Sequence, residues 1–204
     1  MGFYDDHVLP HVVNLAMRNR QLLPYRKRVL AAASGRVLEV GIGSGLNLPL
    51  YGAAAREIVG LEPAPRLLSM AQRVAERNCA PTELISGSAE ALPLDSRSFD
   101  TVVTTWTLCS IPQVSLALAE MRRVLKPDGQ LLFVEHGQAP EAQVRKWQDR
   151  LTPLWKRVGG GCHLNRPIRQ LIEDAGFSIA RLETGYLRGG PKAMTFMYEG
   201  RASP

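Results

Sequence analysis

The stretch "VLEVGIGSGLNLP", residues 37–49, decides the fold. An apolar run meets an acid, Glu39, and Gly41, Gly43 and Gly45 follow within five positions. A short strand running into glycines is how an open α/β sheet builds a ligand loop at a strand's carboxyl end, because without Cβ atoms the backbone turns sharply and approaches a ligand closely. Working outward, "RVLEV" (36–40), "EIVGLEP" (57–63), "TELISG" (82–87), "SFDTVVTTWTL" (98–108) and "QLLFVEH" (130–136) read as five strands. Helices are expected between them, from Leu48 to Ala55, over 66–78 and over 115–125, with "KPDG" as the turn before the fifth strand. The strands are apolar through their middles and alternate with helices, which predicts a parallel sheet covered on both faces.

The flanks differ. Residues 7–33 are expected to be mostly helical, with a break at Pro24. A helix over 141–158 carries Val144, Trp147, Leu151, Trp155 and Val158 on one face and basic residues elsewhere. "GGGCHLNRP" (159–167) interrupts it, and a helix from Pro167 to Ala175 follows, with Asn165 as its expected cap and Gly176 as its end. "FSIARLETGYL" and "KAMTFMYEG" form a closing antiparallel pair with no crossover helix between them. One domain is expected over 1–204: a helical cap (1–33), a ligand-binding core (34–136), a helical substrate-side segment (137–176) and the closing strands (177–204).

Composition narrows the class. The chain has 204 residues, 45% hydrophobic and 22% charged, as an ordinary globular domain does. The net charge of +6 permits attraction to anions without requiring it. Cys79, Cys109 and Cys162 are odd in number and widely spaced, which argues for a reducing compartment rather than a disulfide framework. Neither a secretory signal nor an 18-residue apolar span is visible, and Gly2 lacks the Ser/Thr at position 6 that an acylation motif needs. A cytoplasmic protein is the expectation. The pattern carries no sign of a fixed oligomeric state.

The loop's chemistry is selective. The dinucleotide fingerprint needs glycine where Leu46 stands, and the Gly-Lys-Ser/Thr of a phosphate loop is missing. Glu39 would repel a pyrophosphate and attract an amino group. Glu62 ends the second strand, where an acid accepts both hydroxyls of a ribose. "GSAEALPL" (87–94) offers small and polar groups suited to an adenine edge. An amine, a ribose and an adenine without phosphate describe S-adenosylmethionine (SAM).

Through "VLEVGIGSG", "GLEP", "GSAEALPL", "SFDTVVTTWTLCSI" and "EMRRVLKPDGQLLFVEH" the chain resembles the class I SAM-dependent methyltransferases, in the type 11 group that includes quinone-biosynthesis enzymes. The resemblance implies a Rossmann-like fold: a seven-stranded, mostly parallel sheet whose last strand is antiparallel, with helices on both faces. It places Glu39, Gly41, Gly43, Asn47, Glu62, Ala89, Glu90 and Thr105 around the cofactor. Ile42, Gly45, Pro63, Ser88 and Thr107, within the same blocks, complete that set. "LCSI", "VEHG", "WQDRLTPLWKRVGGGCHLNR", "IEDAGF" and "FYDDHVLPHVVNLAM" resemble the methyltransferase-like thiol methyltransferases and their bacterial relatives. Animal members of that group carry a membrane anchor ahead of the last of these segments, and this chain is expected to start just beyond it.

The acceptor side is read residue by residue. His136, after the fifth strand, is a general base or substrate-orienting donor, or else a histidine bonded to a loop carbonyl. His163 contributes from a flexible cover, or is a surface histidine at a helix break. Cys109 touches substrate or is a small buried hydrophobe. Trp147 and Trp155 pack in the core unless one lines the acceptor pocket, and Cys162 and Asn165 are further substrate-side candidates. Tyr4 and Trp106 shield the sulfonium through their ring faces, or else Tyr4 is a frayed terminus and Trp106 packs under the sheet end. His7 and His11 lack the glutamate of a zinc helix, and Cys162-His163 lacks partners, so no metal is expected. The basic residues of 145–157 form a solvated face or a patch for an acidic surface. With no separate binding module, they argue against nucleic acid and leave room for peripheral membrane contact. The reaction expected is methyl transfer to a small molecule, foremost a thiol. The alternatives are N-, O- or C-methylation of a lipid-like amine or quinone precursor at a membrane surface, and a non-catalytic SAM-binding module.

Overall fold

A computed structural model describes residues 4–204, without the side chains of Asp5 and Asp6. Gly2, read above for acylation, lies outside the described residues. Seven strands form one sheet: β1 (Gly35–Val40), β2 (Ala55–Glu62), β3 (Thr82–Ser86), β4 (Phe99–Thr105), β5 (Leu125–His136), β6 (Ser178–Tyr186) and β7 (Phe196–Ser203). Their order is β3-β2-β1-β4-β5-β7-β6. The first five pair in parallel, and β7 is antiparallel to both β5 and β6. The order reverses between β1 and β4, which opens a crevice at their carboxyl ends. One apolar cluster, with Leu38, Val102, Leu118 and Phe133, fills one face of the sheet, and Val37, Ile58, Val103 and Leu132 belong to a second. Side chains that alternate along each strand supply both.

The helices are α1 (Leu9–Met17), α2 (Leu23–Leu30), α3 (Pro65–Ala75), α4 (Val114–Val124), α5 (Ala142–Val158), α6 (Ile168–Asp174) and a single turn, α7 (Lys192–Thr195). Four expectations are corrected. The N-terminal break comes at residues 18–22, and Pro24 sits in the first turn of α2, where its missing N–H costs nothing. The helix expected from Leu48 to Ala55 is only a 3₁₀ turn, Leu48–Leu50, because Tyr51 turns extended to bring its hydroxyl onto Glu39. The KPDG turn is absorbed in β5 as a bulge, with Leu125 opposite Phe99 and Gln130 opposite Thr101. Asn165 does not cap α6; its side chain donates to Asp149 from 2.8 Å. β6 and β7 form the expected antiparallel pair, and their connection holds only the single turn α7 and no crossover helix.

Helix α5 departs from its apolar pattern. Gln148 and Thr152 are buried while Trp147, Leu151, Leu154 and Val158 face outward. Gln148 accepts from the Ala139 N–H (2.9 Å) and donates to the carbonyls of Gly137 (3.0 Å) and Ala193 (3.3 Å), tying the helix to the loop after β5. Polar side chains face inward here because the loop they meet exposes bare backbone groups. The N-terminal segment is fastened over the same end of the sheet. Asn14 accepts from Ser44 (2.7 Å), Tyr4 donates to the Val158 carbonyl (3.0 Å), and Arg28 forks onto Glu199 of β7.

Candidate active site

All three glycines of the opening loop hold positive φ, for different reasons. A Cβ at Gly41 would lie 2.4 Å from Thr107 Oγ1, and one at Gly45 would lie 3.1 Å from the Ala71 backbone. At Gly43 it would meet nothing within 4 Å. Gly41 and Gly45 are therefore bare for packing, and Gly43 is bare toward open space. Ile42 between them packs into the core against Gly60, contributing shape rather than polar contact.

Glu39 is buried at the end of β1 and anchors a network. It accepts from Asn47 Nδ2 and from the Tyr51 hydroxyl, both at 2.8 Å. Asn47 also donates to Thr105 Oγ1 (3.0 Å) and accepts from Arg26 (2.6 Å). The Arg26 guanidinium lies over the Trp106 ring, 4.7 Å from its centroid. Burial pushes the Glu39 carboxyl up to about 7 against the pull of those hydrogen bonds and of Arg26, and burial lowers Arg26. Trp106 itself holds φ +54, a left-handed conformation that a bulky residue adopts only when its surroundings impose it.

Glu62 ends β2, and its two oxygens each take one backbone N–H, from Gly43 and Ala64, at 3.0 Å. Burial raises its pKa, and the two amides oppose that. Pro63 beside it is exposed. After β3, the Ser88 hydroxyl and the Glu90 carboxylate bond each other, Glu90 also takes the Gln113 N–H (2.6 Å), and Ala89 is buried. These groups suit SAM. A carboxylate and a guanidinium in one network match the two charges of its amino-acid end, and Glu62 keeps lone pairs free for two hydroxyls. Gly43 leaves the approach clear.

A second cluster lies at the ends of β4 and β5. Glu135, fully buried, accepts from Thr104 Oγ1 (2.5 Å) and the Thr107 N–H (3.1 Å), and burial raises it to about 7. His136 is buried; its Nδ1 lies 3.9 Å from Cys162 Sγ, and its Nε2 has no partner among the described residues. His163 donates its backbone N–H to the Cys109 carbonyl (2.8 Å), and its Nδ1 lies 3.2 Å from the same oxygen. Burial and the nearby Arg166 cation lower the His163 imidazole. Arg166, also buried, donates to the Leu108 carbonyl.

The structure thus brings together Glu39, Gly43, Asn47, Glu62, Thr105 and Trp106 on the donor side, and His136, His163, Cys109 and Cys162 beyond β4. Trp147 stands apart on the outer face of α5, with Arg150 against its ring, whereas Trp155 is half-buried and lowers the Cys162 thiol. Tyr4 is half-exposed, at the end of α5. Arg26, Tyr51, Glu135 and Arg166 belong to these two clusters, and sequence reasoning missed them. For Glu135 a signal existed, an acid inside an apolar strand, the same signal that exposed Glu39. Among the described residues no helix is long and apolar enough to cross a membrane, and no group of three or more His, Cys, Asp or Glu side chains could hold a metal.

Residues 38–133 match the family described as "Methyltransferase domain". The chain is 36% identical over 151 residues to the thiol S-methyltransferase TMT1B of Rattus norvegicus, covering 72% of this chain and 62% of that protein. It is 30% identical over 175 residues to the thiol S-methyltransferase TMT1A of Homo sapiens, covering 83% and 71%. The phosphatidylethanolamine N-methyltransferase of Cereibacter sphaeroides is 35% identical over 129 residues, covering 59% and 63%. The match to rat TMT1B thus spans less than two thirds of that relative's length. In fold, the chain is similar to a SAM-dependent methyltransferase from Mesorhizobium loti, with a TM-score of 0.69, 15% identity and coverage of 92% and 100%. With a loop, two acids and a strand order that suit SAM, and with a 30% identical methyltransferase relative covered over 71% of its length, the chain belongs to the class I SAM-dependent methyltransferases.

Proposed function

We propose that the chain methylates small thiols. The observation that carries this reading is His136, buried at the carboxyl end of β5 with Nε2 unpartnered and a sulfur beside its other nitrogen. When bound, SAM supplies an electrophilic methyl group on a sulfonium. Glu39 and Arg26 would hold its amino-acid end and Glu62 its ribose. A thiol has an unperturbed pKa of about 8.5, so an imidazole that takes the S–H proton is base enough to expose a thiolate. His136 Nε2 is the group positioned to accept that proton. The rest is positioning and water exclusion, which an in-line displacement rewards. His163, with the segment 159–163, would cover the acceptor. The TMT1A and TMT1B resemblances support the same acceptor class.

A second reading has its own observation. The exposed Trp147, Leu151 and Leu154 lie on the helix that carries Arg145, Lys146 and Arg150, a face suited to an anionic membrane surface, and the Cereibacter sphaeroides relative is named for a lipid amine. Radiolabelled SAM offered with 2-mercaptoethanol, an aryl thiol, phosphatidylethanolamine vesicles and a quinol decides between them. Label in the thiols supports the first reading. Label in the lipid or quinol with none in the thiols overturns it, and tight SAM binding without turnover on any acceptor would leave a binding module.

A further inference from the structure

Two of the three cysteines come together although they are 53 positions apart. Cys109 lies in the turn after β4 and is buried; Cys162 lies in the glycine-rich segment after α5 and is half-buried. Their main chains touch: the His163 N–H donates to the Cys109 carbonyl from 2.8 Å, and a Cβ at Gly161 would lie 3.3 Å from the Ser110 carbonyl. These contacts seat the turn that carries Cys162 directly against the turn that carries Cys109. The positive φ values of Gly160 (+62) and Gly161 (+79) hold the segment in the tight turn that delivers Cys162 there.

The two thiols are inequivalent. Their neighbours differ: Cys109 Sγ lies 3.6 Å from the Trp106 carbonyl oxygen and Cys162 Sγ lies 3.9 Å from His136 Nδ1. The proximity of Cys162, with burial adding to it, raises the Cys109 thiol, while Cys109 lowers the Cys162 thiol. The groups facing Cys162 are His136 of β5, Trp155 of α5, Arg166 and, through charge, Glu135. Trp155 and Arg166 favour its thiolate, while burial and Glu135 oppose it. A half-buried, thiolate-prone cysteine beside a buried one is the arrangement of an attacking and a resolving thiol. Cys79 takes no part: it is exposed, just before β3 and hence at the opposite end of the parallel sheet.

We propose that Cys162 and Cys109 form a reactive dithiol that is oxidised by small organic disulfides, RSSR, the oxidised counterparts of thiol acceptors. The choice of oxidant rests on the thiol reading above. The Cys162 thiolate attacks one sulfur of RSSR, forming Cys162–S–SR and expelling RS⁻. The Cys109 thiolate then attacks Cys162 Sγ, forming the Cys109–Cys162 disulfide and releasing the second RS⁻. One disulfide is reduced to two thiols, two protein thiols are oxidised to one disulfide, and the two cysteinyl protons pass to the two released thiolates. The product pins the segment 159–163 to the end of β4 and removes the free sulfur beside His136.

The test uses the full chain carrying Cys79→Ser, treated with 2-hydroxyethyl disulfide at neutral pH and read by intact mass and tryptic mapping. The expected result is loss of two hydrogens, no retained adduct, a cross-linked peptide pair containing Cys109 and Cys162, and reversal by dithiothreitol. Adding Cys109→Ser should trap one mercaptoethanol adduct on Cys162. Adding Cys162→Ser should slow thiol loss by about tenfold or more, since the buried thiol then attacks alone. A stable adduct on the Cys79→Ser protein, or two thiols left unmodified, overturns the proposal. The peptide map needs no variant at 109 or 162, so the result stands even if those variants fold poorly. Cross-linking with no label in any thiol of the acceptor panel would sink the thiol reading alone, and labelled thiols without cross-linking would sink the dithiol alone.

Discussion

Glu39→Gln separates the two roles of the buried carboxylate. In the folded chain Glu39 titrates at about 7 instead of 4.5, because burial outweighs the hydrogen bonds from Tyr51 and Asn47 and the charge of Arg26. Between those pH values the folded chain keeps a proton that the unfolded chain releases. Stability therefore falls as pH rises through that window and levels off above it, a total of about 3 kcal/mol. Glu135, also raised to about 7, has the same sign and window, so Glu39→Gln should roughly halve the slope. Cofactor binding should run the other way. If the ionised carboxylate receives the SAM ammonium, affinity follows the ionised fraction and rises roughly 20-fold between pH 5.5 and 7.5 in the wild type. Glu39→Gln should bind weakly at both pH values, with a nearly flat profile. Isothermal titration calorimetry with SAM, and thermal melts across the same pH range, give both readouts. A wild-type dissociation constant constant within about twofold, or the same pH slope in Glu39→Gln, would refute the assignment of Glu39 to the amino group.

The glycines of the loop should divide in the same assays. Gly41→Ala drives a methyl into Thr107 at a left-handed φ and should cost about 2–3 kcal/mol of stability by denaturant melts, whereas Gly43→Ala should cost only about 1 kcal/mol and yet weaken SAM binding about tenfold. Gln148→Ala strands one amide and two carbonyls in the loop after β5 and should lower stability by about 2–4 kcal/mol, again by denaturant melts, with SAM affinity unchanged. His136→Gln should reduce kcat/KM for a thiol about 100-fold at pH 7 and far less at pH 9, where the thiol ionises unaided. Equal loss at both pH values would assign His136 a purely structural role.

The glycine loop and the two acids at the ends of β1 and β2 were legible because their signals are local. A strand running into glycines, an acid before them and an acid 21 positions after Gly41 are all read within one βαβ unit. The fold followed from the alternation of strands and helices, and the antiparallel last strand from the family resemblance. Tyr51 shows where local reading stops: nothing in "LPLYGAAA" says that a hydroxyl will leave a nascent helix for a carboxylate 12 residues earlier. Helix α5 shows it again. Its pattern asks for Trp147 inside, but the surface it covers is a backbone loop, and so Gln148 goes inward. Hydrophobic periodicity reports a buried face only where the partner surface is apolar. The meeting of Cys109 with Cys162 depends on two glycines in left-handed conformations, which composition suggests without saying which elements they join.

Arg26 has a consequence for how the chain divides into parts. It lies in α2, outside residues 38–133, yet it completes the network that begins at Glu39. Excised at the family boundary, the sheet would keep its strands and its glycines but leave Asn47 without its donor, Glu39 without its cation and Trp106 without the guanidinium across its ring. The transplantable unit is therefore larger than the recognisable one. Grafting this glycine loop into another scaffold means carrying the helix in front of it as well, and shuffling N-terminal segments among relatives exchanges part of the Glu39 network along with the helix.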